Sequence, residues 1–129
     1  MVIISIDLGL KRIGLALSVH SSLVTPLPPI ERKNRNQAAK DVKKVLDECN
    51  ASKVVIGVPM GSTTEEEMLR RITHFMNLVA FTGEIIFQDE SYSSQEAEAL
   101  MKGNIPYKRD GRIDSLSAKI ILERYLKIS

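Results

Sequence analysis

The chain predicts an α/β fold: a mixed five-stranded sheet in which a three-strand antiparallel meander is extended by parallel strands and flanked by helices. Three observations carry that expectation. Residues 2–31 hold three successive apolar runs with only short polar breaks between them. From residue 34 onward the apolar period switches repeatedly between helix and strand. The later strands are separated by helix-forming stretches, which parallel pairing needs as crossovers that also cover the sheet.

The opening stretch "IISIDLGLKRIGLALS", residues 3–18, gives strands over 2–8 and 12–19 with a reversal at Gly9 and Lys11. It also carries an acid. Asp7 interrupts an apolar strand, where an unpartnered carboxylate is costly to desolvate, so it belongs at the strand's exit or beside a partner. Residues 24–31 make a third strand, which Pro26, Pro28 and Pro29 restrict to a sheet edge. "NRNQAAKDVKKVLDECN" places Ala38, Val42, Val45, Leu46 and Cys49 at helical spacing, with Asn34 or Asn36 as the cap. "KVVIGV" is a short buried strand stopped by Pro59, and Thr63 with Glu66 reads as a capping box that opens a helix running to about residue 82. "GEIIFQDE" is the fifth strand. Ser93 with Glu96 forms a further capping box, Gly103 a stop, and "RIDSLSAKIILERYLKI" an apolar closing helix.

At 129 residues the chain reads as one domain, 1–129, long enough to bury roughly two-thirds of its unfolded surface. An apolar content of 43% and a charged content of 26% suit a globular protein, and no apolar run approaches the ~20 residues of a membrane span. The N-terminus lacks a basic start and meets Asp7 early, so it reads as a strand, and a cytoplasmic protein with no membrane partner is expected. Cys49, the single cysteine, excludes a disulfide framework and a thiolate zinc site. Charge segregates along the chain: residues 1–53 hold nine Lys/Arg against five acids, residues 102–129 seven against three, and residues 54–101 only Arg70 and Arg71 against eight acids. That pattern suits solvated helix faces or a basic rim around an acidic centre. His20 at a strand end, His74 inside a helix, and Met60, Met68, Met76 and Met101 all read as ordinary packing or surface residues.

Three acids fall at element boundaries: Asp7 at the end of the first strand, Glu90 just after the last, and Asp114 at the start of the closing helix. Hard carboxylates brought together there suit Mg2+ or Mn2+, which keep water for a nucleophile or a phosphate oxygen. Each acid also has a plain structural use, Asp7 in a turn and the others near helix N-termini. Asp89 and Asp110 compete for the role, but Asp110-Gly111 is a turn pair, and Asp89 and Glu90 face opposite ways if the strand is still extended. The segment "GNIPYKRDGR", residues 103–112, reads as a polar loop between helices. Tyr107 beside Lys108, Arg109 and Arg112 offers a ring for an unpaired base and charges for a backbone, or simply a solvated loop.

The stretches "IDLGLKRIGLALS", "VVIGVPMGS", "QDESYSSQEAEAL" and "IDSLSAKIILERYL" together resemble the four sequence blocks of the YqgF/RuvX family, in matching order over almost the whole chain. The resemblance implies a ribonuclease H-like fold, kinship to Holliday-junction resolvases, and a nuclease that matures the 5′ end of the small-subunit ribosomal RNA precursor. The family's acids map onto Asp7, Glu90 and Asp114, where two Mg2+ ions would be held, and its basic pair maps onto Lys11 and Arg12. Ser91 stands where the family usually has arginine, and the loop after Pro59 is shorter than usual. The implied partner is nucleic acid, either structured RNA or branched DNA, with monomer and homodimer both open.

Two other classes share features of the chain. The Asp7-Leu8-Gly9 hairpin with Gly14 is similar to the phosphate loop of actin-like and sugar-kinase ATPases, which enclose nucleotide between two such domains. A non-catalytic nucleic-acid-binding module would keep the fold without its chemistry, although all three carboxylates are present.

Overall fold

The computed structural model describes residues 1–9, 11–21, 23–58, 61, 63–89 and 112–126, with residues 112–114 described by their backbone. Strand β1 (Val2–Leu8) pairs antiparallel with β2 (Arg12–Val19), and β2 pairs antiparallel with β3 (Leu23–Glu31). On the other side of β1, β4 (Lys53–Val58) joins in parallel, and β5 (Glu84–Asp89) joins β4 in parallel. The order is β3-β2-β1-β4-β5, the mixed five-stranded sheet that the sequence predicts. β3 lies at the edge, where missing proline N–H groups cost least. Its register slips opposite Ile13 and Leu15, so that Pro28 and Pro29 fall in a bulge.

Alternation along β1 divides the core in two. Ile4 and Ile6 pack with Ala38, Val42, Ile72 and Phe75 of helices α1 (Arg35–Glu48) and α2 (Glu65–Val79). Ile3 packs with Ala118, Ile121 and Leu122 of α3 (Arg112–Leu126) on the opposite face. The second interface is built from small residues: Ser5, Ala16, Ser18, Ser117 and Ala118 are all buried. That lets α3 lie close to β1 and β2. The hydroxyls of Ser18 and Ser117 meet no partner among the described residues, so what they bring there is small volume.

Helix α1 begins as its sequence suggests. Asn34 is the cap: its side chain accepts from the Gln37 amide, while the Gln37 side chain accepts from the backbone N–H of Asn34. Asn36 lies inside the helix instead. Cys49 is the half-buried C-cap and a free thiol. For α2 the expected Thr63–Glu66 box is corrected: Thr64 is the N-cap and makes no side-chain capping bond. The first turn instead carries Glu65, Glu66 and Glu67, which favour the positive end of the helix dipole directly. α2 also stops short of residue 82, ending at Val79 with Ala80 in the left-handed conformation. Among the described residues no helix is long and apolar enough to cross a membrane. The expected Ser93–Glu96 box and the loop at 103–111 lie outside the described residues.

Candidate active site

Strands β1, β4 and β5 run parallel, so their carboxyl ends emerge along one edge of the sheet, where open α/β sheets gather their sites. Asp7 is the last residue but one of β1 and is half-buried. Ile3 packs under α3 and the Ser5 hydroxyl donates to the Ala118 carbonyl at 2.6 Å, so period-two alternation puts Asp7 on this same face. Directly across the antiparallel pair stands Gly14, which offers no side chain there. The acid that is out of keeping with an apolar strand therefore stands near the strand's carboxyl end, half-buried and opposite a residue without a side chain.

Three side-chain bonds set the direction of α3. The Ser115 hydroxyl donates to the Leu27 carbonyl at 2.7 Å, and Leu27 is in register with Leu15, which is in register with Ile6. Ser5 reaches Ala118 in the middle of the helix. At the far end Lys53, in register with Ile3, donates to the Tyr125 hydroxyl at 2.9 Å. The first turn of α3 thus arrives where β1 ends, and its last turn where β1 begins. Asp114 precedes Ser115 in that first turn, so its backbone belongs to the same end of the sheet as Asp7.

Asp89, the last residue of β5, is in register with Val58. Ile85 packs toward α1 and α2 and Ile86 toward α3, so alternation puts Asp89 on the face away from Asp7. Glu90 is the next residue in the chain; it and the Asp114 side chain lie outside the described residues. Among the described residues no three His, Cys, Asp or Glu side chains form a group able to hold a metal ion.

The basic residues of the hairpin divide. Lys11 is exposed at the turn, while Arg12 opens β2, half-buried and in register with Glu31. Arg32 was not singled out by sequence reasoning, yet it closes the hairpin mouth: its Nη1 donates to the Gly9 carbonyl at 2.7 Å and its backbone N–H to the Lys11 carbonyl at 2.9 Å. Its guanidinium stands 5.7 Å from the Phe75 ring centre. Burial, with a smaller push from Arg35, holds its pKa below the usual arginine value. The only sequence signal for this was a cluster of cations after a proline-rich strand. Tyr107, Lys108 and Arg109 lie outside the described residues, and Arg112 is described as the first backbone position of α3.

A family model described as RuvX, Holliday junction resolvase, matches residues 1–128. The chain belongs to this family. Among its relatives is a Sulfurimonas denitrificans protein named as a proposed pre-16S rRNA nuclease, 66% identical over 96% of this chain and 95% of that protein. A Campylobacter lari relative with the same name is 47% identical, covering 95% of this chain and 94% of that one. Among solved structures, the fowlpox virus Holliday junction resolvase superposes with a TM-score of 0.57 at 15% identity, covering 98% of this chain and 99% of that one. Thermus thermophilus RuvC in complex with Holliday junction substrate gives a TM-score of 0.57 at 14% identity, covering 98% and 96%. These likenesses make the fold ribonuclease H-like, as the family resemblance implied.

Proposed function

We propose that this chain is a divalent-cation-dependent endonuclease that hydrolyses nucleic-acid phosphodiester bonds, with the precursor of 16S ribosomal RNA as its substrate. The observation that carries the reading is the arrival of the first turn of α3 at the carboxyl end of β1, the end that bears Asp7, a direction fixed by the Ser5–Ala118 and Ser115–Leu27 bonds. The relatives' names supply the substrate.

In this reading Asp7, Glu90 and Asp114 would hold Mg2+ or Mn2+. The donor chemistry fits: Asp7 is a hard, half-buried carboxylate that faces a glycine. When bound, such cations supply an activated water and stabilise the leaving oxygen of an in-line displacement. The chain's own part is to fix the ligand geometry in advance. A buried hydroxyl-to-carbonyl bond between β1 and α3 holds the elements bearing Asp7 and Asp114 in one arrangement before substrate arrives. Lys11 and Arg12 would meet backbone phosphates at the hairpin, with Tyr107 stacking on an unpaired base beside Lys108, Arg109 and Arg112. Work on a ribosomal RNA precursor is cytoplasmic work, consistent with the location the sequence suggests.

The deciding experiment offers the purified protein precursor 16S RNA and a four-way DNA junction side by side, with Mg2+ and again with EDTA. Metal-dependent cutting of the RNA at its 5′ side is the expected result. Cutting confined to the junction transfers the same chemistry to branched DNA, the substrate in the family's description. Failure to cut either one in Mg2+ and in Mn2+ overturns the nuclease reading.

A further inference from the structure

On the opposite face of the sheet from Asp7, a cavity of about 430 Å³ opens between the end of β1, the start of α1 and the flank of α2. Arg32, Arg35, Arg70, Arg71, His74 and Phe75 line it, and among the described residues no carboxylate does. The arginines come from two distant parts of the chain. Residues 54–101 carry only two basic side chains against eight acids, and both face this cavity. Random scatter of charge over solvated helix faces gives no reason for that.

Local energetics point the same way. Arg35 is the first residue of α1, whose first turn contains no acid, so a cation sits at the positive end of a helix dipole. It also lies near Arg32, whose charge opposes its own. Arg71 is engaged by Glu67 at 2.8 Å, but Arg35 and Arg70 have no such partner among the described residues. Placing like charges together against a helix dipole is a local cost of the kind found where function is served. An anion would relieve it.

We propose that this cavity is a second substrate subsite, which holds backbone phosphates of the nucleic acid beside the segment that is cut; it deepens the nuclease reading and rests on it. Arginine forks suit phosphate oxygens, and the volume lies within the range of ligand sites. Arg32 ties the subsite to the hairpin, since the carbonyl it binds belongs to Gly9, at most about 7 Å along the chain from Asp7. Arg32 is held in place by the Gly9 carbonyl and the Phe75 ring, and one such bond leaves other donors of its fork for a ligand. A strand passing over the carboxyl edge of the sheet can reach both faces.

The test is binding in metal-free buffer with EDTA, so that cleavage plays no part. A short fluorescein-labelled single-stranded RNA is titrated with the full-length protein at several salt concentrations, by fluorescence anisotropy. Three proteins are compared: wild type, an Arg35→Gln/Arg70→Gln variant and a Lys40→Gln/Lys44→Gln variant. All four side chains are exposed, and the lysines lie outside this cavity, so equal charge is removed without disturbing the core. The arginine variant is expected to weaken binding about tenfold and to flatten the salt slope by about 1.4, near 0.7 for each lost contact, while the lysine variant changes little. Matching curves for the two variants overturn the subsite. Calorimetry with inorganic phosphate distinguishes the source: wild type that binds free phosphate while the arginine variant keeps full RNA affinity makes the cavity a small-anion site and overturns the proposal. Wild type with no affinity for this RNA or for a four-way DNA junction in the same assay overturns the nuclease reading itself, an outcome separate from wild type and arginine variant binding equally well.

Discussion

Exchanging a carboxylate for its amide removes a charge without changing size, which makes it the sharpest test at the scale of one residue. Asp7→Asn is expected to lower single-turnover cleavage by about a thousandfold or more, the equivalent of ~4 kcal/mol, with circular dichroism and melting temperature close to wild type. Glu90→Gln and Asp114→Asn should do the same, and any pair should cost little more than one alone, because the three would act as a unit. Near wild-type rates in metal-replete buffer would remove Asp7 from the site. Ala80 provides a stability test remote from any chemistry. It sits at the end of α2 with φ of 59°, a left-handed conformation in which a Cβ is penalised and glycine is not. Ala80→Gly should raise stability by about 0.5 kcal/mol, after allowing for the greater freedom glycine gives the unfolded chain, as read from urea midpoints at constant m.

Among the elements, β5 depends on a close approach that one glycine permits. A Cβ built at Gly83 would fall 2.6 Å from the Ser52 carbonyl oxygen and 2.5 Å from the Phe81 ring. The ring can turn but the carbonyl belongs to backbone, so Gly83→Ala should cost about 1–3 kcal/mol and loosen the β4–β5 pairing first, visible as faster amide exchange there. Helix α3 has its own anchor. Lys53 donates to Tyr125 and pairs with Glu84 at 3.2 Å, and these contacts, Tyr125 first, raise its pKa. A raised lysine pKa stabilises the fold at every pH below the lysine's unfolded value and loses that contribution only as pH climbs through the higher folded one. Between neutral and mildly alkaline pH, Lys53→Met should therefore show a constant stability loss relative to wild type, shrinking only in strong alkali. Element positions were largely legible because they rest on local signals: apolar alternation in β1 and β2, the Asn34–Gln37 box of α1, prolines that mark β3 as an edge. Other features were hidden because they depend on tertiary meeting. The start of α2 followed helix-dipole electrostatics over the hydroxyl cap its sequence offered. Arg32, Arg35, Arg70 and Arg71 lie in separate segments, and nothing in local spacing says that α1 and α2 bring them to one cavity. Asp7 was the exception, an acid so out of keeping with its strand that the sequence alone drew attention to it.

For the molecule as a whole, nucleic-acid affinity should come mainly from phosphates. With four neutralised phosphates on a single strand, affinity is expected to fall about 50-fold between roughly 50 and 200 mM salt, and a flat response in an anisotropy titration would contradict a phosphate-led interface. The connectivity carries one more consequence. Ser5 and Ala118, which lock β1 to α3, are 113 positions apart in the chain. During synthesis the five strands and the two helices on the far face are made before α3, so they can associate while the surface formed by Ile3, Ala16, Val24 and Val55 stays bare. Until α3 docks, the helical turn that carries Asp114 is missing from the carboxyl end of β1, and an interrupted chain would lack one of the three carboxylates of the proposed site. Under the proposed function, completing translation would then act as the timer of activity, keeping the chain inert for as long as it is tethered to the ribosome that is making it.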